Sequence, residues 1–411
     1  MKMWKGSSSV LPRRINFNTL FDPAGKTIEK LVALFHYFRQ VTENEPIGVV
    51  TFERRCETRM PVWLDSNEIV GAQPVEVLCD GKIEDEGCGM LQMDFANKFI
   101  GGGVLGHGCV QEEILFVICP ELIAAALFTE CMADNECVVI TGAERYSAYS
   151  GYGSTFKWNG GFNDGTPFDE CGRRKRSILA VDALSFGGNP SKQYNNQMIK
   201  RELNKLFVGF NNPHGPRRVA TGNWGCGAFR GDKHLKYVIQ LLAAAHTQRP
   251  ITYFTFGDTQ LKSDCDSLNT LLQRVKPTVG QLYTAVLSAR VSQASGLFPA
   301  LLHQLDPSQP RPVPSLSHPT TSSSSSISSS HDATKPLHYS ASADTDAAVE
   351  PDVSSDSDVV PDSPRPTTRS QRKSPTKADG GQQLFHQLDK EQILALTKLA
   401  QMDTESESDQ L

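Results

Sequence analysis

The chain has 411 residues, with 41 Lys and Arg against 46 Asp and Glu, a formal net charge of -5. So even a balance excludes whole-molecule attraction to nucleic acid or to an anionic membrane as the binding principle, and any anion site must be local. The cysteines run from Cys56 to Cys265 without a Cys-x-x-Cys pair, so neither a disulfide framework nor a zinc knuckle is expected, and no metal or other cofactor is implied. Met1 is followed by no cleavable apolar leader, and apolar stretches such as 122–128 fall far short of the ~20 residues of a membrane span. A soluble, thiol-reduced chain of the nucleus or cytoplasm is the expectation.

In chain order, periodicity predicts a helix at 28–41, a strand at 90–94, helices at 111–118 and 120–131, and strands at 137–141 and 177–182. A helix at 197–210, a strand at 217–221, a helix at 232–247, a strand at 251–256 and a helix at 278–290 follow. This alternation predicts an α/β fold, a mixed β-sheet flanked by helices. Beyond it, residues 301–383 form a Ser/Pro-rich linker, with a serine run at 322–330 and an acidic patch at 354–358. Such a composition buries too little apolar surface to offset chain entropy, so disorder is expected, with Ser363 and Ser374 as proline-directed phosphorylation candidates. In 384–411, Leu384, Leu388, Ile393, Leu396 and Leu399 share one helical face before an acidic end, which predicts an amphipathic helix able to dock a protein partner. Its first six residues echo 301–306.

The densest chemistry lies at 101–113. Gly101, Gly102 and Gly103 can take positive φ and press backbone N–H groups against an oxygen-rich ligand. After seven intervening residues come Gln111, Glu112 and Glu113, and a glutamate at the rim of such a loop can protonate a leaving oxygen. A conventional glycosidase opposes two carboxylates ~5–9 Å apart. Neighbours on a helix are instead rotated by about 100°, so one carboxylate is expected to serve as both acid and base.

Further stretches stand in order with this motif: Ile83-Glu84, 90–97 with Asp94 and Asn97, Gly151-Tyr152, 220–229 and 253–258. Together they resemble the poly(ADP-ribose) glycohydrolase family, with its macrodomain-like core, over about residues 28–290. The resemblance implies hydrolysis of ribose-ribose O-glycosidic bonds, mainly exo, with release of ADP-ribose. It puts the acid/base role on Glu113 and orientation of the substrate ribose on Glu112. Asp94 and Asn97 would hydrogen-bond the ribose or fix the catalytic loop. Ile83, Glu84 and Gln111 would hold adenine, while Tyr152 and Phe256 cap the adenine and terminal ribose. Phe256 reads by pattern alone as core. Gly101 to Gly103 and a second loop, Gly225, Cys226, Gly227, Ala228 and Phe229, would bracket the diphosphate, helped by the N-terminus of the helix from 232.

Burial beside Glu112 and Asp94 is expected to favour a protonated acid. The implied partners are poly(ADP-ribose) and poly(ADP-ribosyl)ated proteins, in the DNA damage response, with no direct nucleic-acid site. Long family members carry a helical accessory region before the core, so residues 1–70 read as a shortened version of it and 71–300 as the catalytic domain. Two departures stand out: Arg230 where a small residue is expected, and Gly153 after Tyr152, which should loosen that loop. Two other readings share the pocket. One is a macrodomain-like ADP-ribose reader without turnover, disfavoured by Glu112 and Glu113. The other is an enzyme that removes single ADP-ribose units from proteins.

Overall fold

The computed structural model describes residues 16–21, 28–289, 296–306 and 384–389. The expected phosphorylation sites, most of the Ser/Pro-rich linker, and 390–411 lie outside the described residues.

The chain opens with helix α1 (Ile28–Glu43), then strands β1 (Val49–Cys56) and β2 (Val75–Leu78), a single helical turn α2 (Ile83–Glu86) and β3 (Leu91–Asp94). Helix α3 (Gln111–Ile118) precedes β4 (Glu136–Thr141), a hairpin of β5 (Ser147–Ser150) and β6 (Lys157–Gly161), and β7 (Ser177–Ala180). Then come α4 (Asn196–Phe210), β8 (Val219–Gly222), α5 (Lys233–His246), β9 (Ile251–Phe254), α6 (Thr259–Val275), α7 (Val279–Ser288), α8 (Leu297–Leu305) and β10 (Leu384–Asp389). The strands of the main sheet run β10-β1-β4-β7-β3-β8-β9-β2. The β7-β3-β8-β9-β2 half is parallel, and β10, β1, β4 and β7 pair antiparallel.

The sheet is covered on both faces. In β4, Cys137 and Val139 join a core with α4, α5, α6 and α7, whereas Val138 and Ile140 join a second core with α1 and α3. Each helix carries the period its face needs. Ile199, Leu203, Leu206 and Phe210 are buried along α4, which Asn195 caps by accepting from Gln197 N. Leu261, Cys265, Leu268 and Leu272 are buried along α6, capped by Asp258.

Several expectations are corrected. The helix expected at 120–131 is a 3₁₀ run, Pro120–Leu127; Pro120 cannot continue the ladder of α3, and Cys119 before it is forced from helical backbone. Within the region expected to be accessory, 1–70, β1 is a strand of the main sheet. The linker cannot begin at 301, since α8 runs to Leu305 and Arg274 pairs with Asp306 beyond it. Leu384–Asp389 is a strand rather than the start of a helix, paired antiparallel with β1 from Arg54↔Leu384 to Val49↔Asp389. An edge strand offers a row of unpaired backbone groups, and pairing there satisfies a short segment better than an isolated helical turn.

Under the parallel half lies a buried charge network. Asp182 pairs with Arg201 at 2.6 Å and Lys205 at 2.5 Å. Glu202 pairs with Lys236 and accepts from Leu184 N at 2.9 Å. Lys236 also sits 4.2 Å from the Trp224 ring centroid. Glu202→Leu should therefore cost about 3–5 kcal/mol in denaturant unfolding by stranding the Lys236 ammonium, and a second change, Lys236→Met, should return part of that loss. An unchanged midpoint for Glu202→Leu would show that the pair is not a structural necessity.

Candidate active site

The carboxyl ends of β3, β8 and β9 form the cleft end of the sheet, where open α/β sheets place their ligands. Asp94 is the last residue of β3 and fully buried. The chain then loops through 95–110 and enters α3 at Gln111. The Gln111 side chain ties that helix to the strand, accepting from Phe95 N at 2.7 Å and donating to Met93 O at 3.1 Å. Its amide is thus occupied by backbone, which makes it a cross-link at the position expected to hold adenine.

Glu112 and Glu113 are both buried and both bound by loop amides. Glu112 accepts from Asn97 N at 2.8 Å and Gly101 N at 2.6 Å. Glu113 accepts from Gly103 N and Val110 N, each at 2.9 Å. Asn97 in turn accepts from Phe99 N, which fixes the start of the loop. Glycine is required at 102, where φ is +51° and a Cβ would lie 2.4 Å from Glu113 Oε1 and 2.6 Å from Glu112 Oε2. Asp94 differs from both glutamates: neither of its buried oxygens has a hydrogen-bond partner among the described residues. Burial, and then the Glu113 charge, holds the Asp94 carboxyl well above the ordinary range. Burial, then Asp94 and Glu113, does the same for Glu112.

The residue that the sequence reading missed is Lys30 on α1. Its ammonium is buried and donates to the carbonyls of Gly103 (3.4 Å), Val104 (3.0 Å), Gly106 (2.5 Å) and Gly108 (2.6 Å). The signal was present, since Lys30 shares the buried face of α1 with Ala33, Leu34, Tyr37 and Val41. A lysine on an apolar helix face must find a partner, and here it grips the glycine-rich loop. The neighbouring Glu29 accepts from Trp158 N at 2.8 Å, so α1 also holds the β5-β6 hairpin that carries Tyr152.

Tyr152 is half exposed at the hairpin tip, and its hydroxyl lies against the backbone amide of Gln111, within electrostatic reach of Glu113. Gly153, expected to loosen this tip, instead ties it: its φ is +57° and its N–H donates to Cys109 O at 2.9 Å. Phe256 is 44% exposed with φ +55°, packed over Gly222, which corrects the core reading that pattern alone suggests. Ile83 is buried with Ala220 and Phe254, and Glu84 accepts from the Tyr149 hydroxyl.

The second loop follows β8. Trp224 is buried and donates to Val181 O at 3.0 Å, anchoring the turn. Gly225 has φ +72° and sits over Ala183 and the Lys236 ammonium. Arg230 N closes the turn on Gly227 O at 2.9 Å, while the amides of Gly227, Ala228 and Phe229 donate to nothing among the described residues. They are free for an anion. At the N-terminus of α5, Asp232 accepts from Leu235 N at 2.8 Å, so the chain's own carboxylate takes one of the helix's first amides.

Lys30→Met keeps the stem and removes the three N–H donors that serve these four carbonyls, so it should lower unfolding stability by at least about 2 kcal/mol. Lys30→Arg should not restore it, because a planar fork cannot follow carbonyls converging on one point. Wild-type stability in both variants would remove Lys30 from the loop's support. Asp94 and Glu112 have raised folded pKa values, so their contribution is full below the unfolded value near ~4 and declines as pH rises toward the folded values. Asp94→Asn deletes one such group, so its stability relative to wild type should improve steadily from pH 4 to pH 8. A pH-independent difference in denaturant melts would contradict the shift.

The family described as "Poly (ADP-ribose) glycohydrolase (PARG), Macro domain fold" matches residues 60–263, and that family's helical domain matches residues 2–54. Poly(ADP-ribose) glycohydrolase 2 of Caenorhabditis elegans is 36% identical over 277 residues, 64% of this chain and 57% of that protein. Poly(ADP-ribose) glycohydrolase 1 of Arabidopsis thaliana is 34% identical over 348 residues, 66% of this chain and 63% of that protein. The chain thus spans somewhat over half the length of these relatives. A solved poly(ADP-ribose) glycohydrolase from Thermomonospora curvata, 15% identical, covers 57% of this chain and 88% of its own, with a TM-score of 0.32, too low to bear on the fold. With both domains of one family matched in order along it, the chain belongs to the poly(ADP-ribose) glycohydrolase family.

Proposed function

We propose that the chain hydrolyses ribose-ribose O-glycosidic bonds in poly(ADP-ribose), mainly from the free end, and releases ADP-ribose, with Glu113 as acid and then base. The carrying observation is the disposition of the three carboxylates. Asp94 is 0% exposed, Glu112 2% and Glu113 6%, and Glu113 is clamped by Gly103 N and Val110 N at the inner edge of the glycine-rich loop. Each carboxylate oxygen keeps a second lone pair beyond the one that its amide uses. Glu113 thus retains a site for the transferable proton.

The raised pKa values of Asp94 and Glu112 favour their protonated forms, and Asp94, buried with both oxygens unpartnered among the described residues, lies behind the glutamates as part of the same acidic cluster. Glu113 gives its proton to the departing 2′-oxygen as the bond from the anomeric carbon to that oxygen breaks with both electrons. The resulting oxocarbenium-like ribose is stabilised by the substrate's own diphosphate, held by the free amides of Gly227, Ala228 and Phe229. Glu113 then takes a proton from water, whose oxygen bonds to the anomeric carbon, and is ready again. Tyr152 and Phe256, both exposed beside these loops, supply aromatic faces for adenine and the terminal ribose. Relatives named as poly(ADP-ribose) glycohydrolases support the same chemistry.

Glu113→Gln keeps size and one acceptor oxygen. It should bind ADP-ribose almost as wild type does while polymer cleavage falls about 10²–10⁴-fold. Turnover near the wild-type rate would move the acid to another residue, and equal binding without turnover in both proteins would favour an ADP-ribose reader.

A further inference from the structure

We propose that Arg230 is an additional phosphate contact, which adds a fixed positive charge to the turn formed by 225–230. The proposal rests on the reading of that turn as the diphosphate site and deepens it.

Arg230 is exposed and sits in the left-handed region at φ +56°, a conformation that favours glycine and that a long side chain adopts at a cost. Its guanidinium has no carboxylate or hydrogen-bond partner among the described residues. The other basic side chains of this stretch all have an acidic partner: Lys233 has Asp258 at 2.7 Å, His234 has Asp264 at 3.1 Å, and Lys236 has Glu202. Arg230 therefore stands apart as the cation of 225–236 left without an acidic partner.

It is also anchored where an anion would sit. The backbone of Arg230 closes on Gly227 O, which encloses Ala228 and Phe229, and the amides of Gly227, Ala228 and Phe229 are themselves unfilled. A Cβ built on Gly227 meets nothing within 4 Å, so the turn is open on that side. Phe186 N holds Phe229 O at 2.8 Å and Gly231 N holds Gly225 O at 2.8 Å, which fixes the turn's shape before any ligand arrives. Two kinds of donor, three backbone amides and one guanidinium, thus share one preformed turn without acceptors. A phosphate satisfies both, because guanidinium donors match paired phosphate oxygens.

Arg230→Gly separates binding from folding, since glycine suits the backbone better than arginine does. The full chain, the Gly and Gln variants and wild type would be compared for melting temperature, for ADP-ribose binding by calorimetry at low and high salt, and for polymer cleavage. The expectation is a melting temperature for Arg230→Gly at or above wild type with a Kd for ADP-ribose about tenfold higher. Arg230→Gln should weaken binding similarly, and the difference from wild type should shrink as salt rises. Wild-type cleavage together with a Kd for Arg230→Gly within twofold of wild type would overturn the contact and leave the hydrolase reading intact. A wild-type protein that neither binds ADP-ribose nor cleaves polymer would remove the hydrolase reading, and this proposal with it.

Discussion

Between Lys30 and Glu113 the loop from Gly103 to Val110 is held in two complementary ways. Lys30 gathers carbonyls from its interior, at Gly103, Val104, Gly106 and Gly108, while Glu113 takes the N–H groups at its two ends, Gly103 and Val110. A loop this rich in glycine loses more conformational freedom on ordering than any other composition would. Burying an ammonium also costs heavily unless several acceptors replace water. Desolvation does lower the pKa of Lys30, and Cys109 and Glu113 oppose that shift.

That arrangement links the first helix to the chemistry. Glu29 and Lys30 are adjacent on α1, yet one holds the Tyr152 hairpin through Trp158 N and the other holds the glycine-rich loop. The helix that precedes β1 is thus a structural part of the site. The same economy recurs at the second loop, where Lys236, paired with Glu202, sits beneath Gly225 against Trp224. In both places a buried lysine supports a glycine turn from below and leaves amides or carboxylates facing the cleft.

Much of this was legible in the sequence because the relevant signals are local. The strand ending in Asp94, the helix opening at Gln111 and the helices α4 and α5 fall within a few residues of their expected places. The glycine loops were recognisable from composition and spacing. What escaped depended on partners distant in sequence. β1 and β2 are defined by their neighbours in the sheet rather than by strong alternation of their own. Lys30 could be seen as a buried cation, but not what it bound, over 70 residues away. Helix α6 carries its own signal in the spacing of Leu261, Cys265, Leu268 and Leu272. The hexapeptides 301–306 and 384–389 differ only at Leu302 and Phe385, yet one is helical and the other a strand, so surroundings and not local preference decide between them.

The proposed function requires that this cleft cut polymer rather than merely hold it. The direct measurement is a time course of the wild-type protein on size-fractionated, labelled poly(ADP-ribose), with products resolved by length. The account predicts free ADP-ribose from the earliest times while the remaining chains shorten gradually. Polymer that stays at full length while bound to the protein would contradict it and identify the cleft as a reader's.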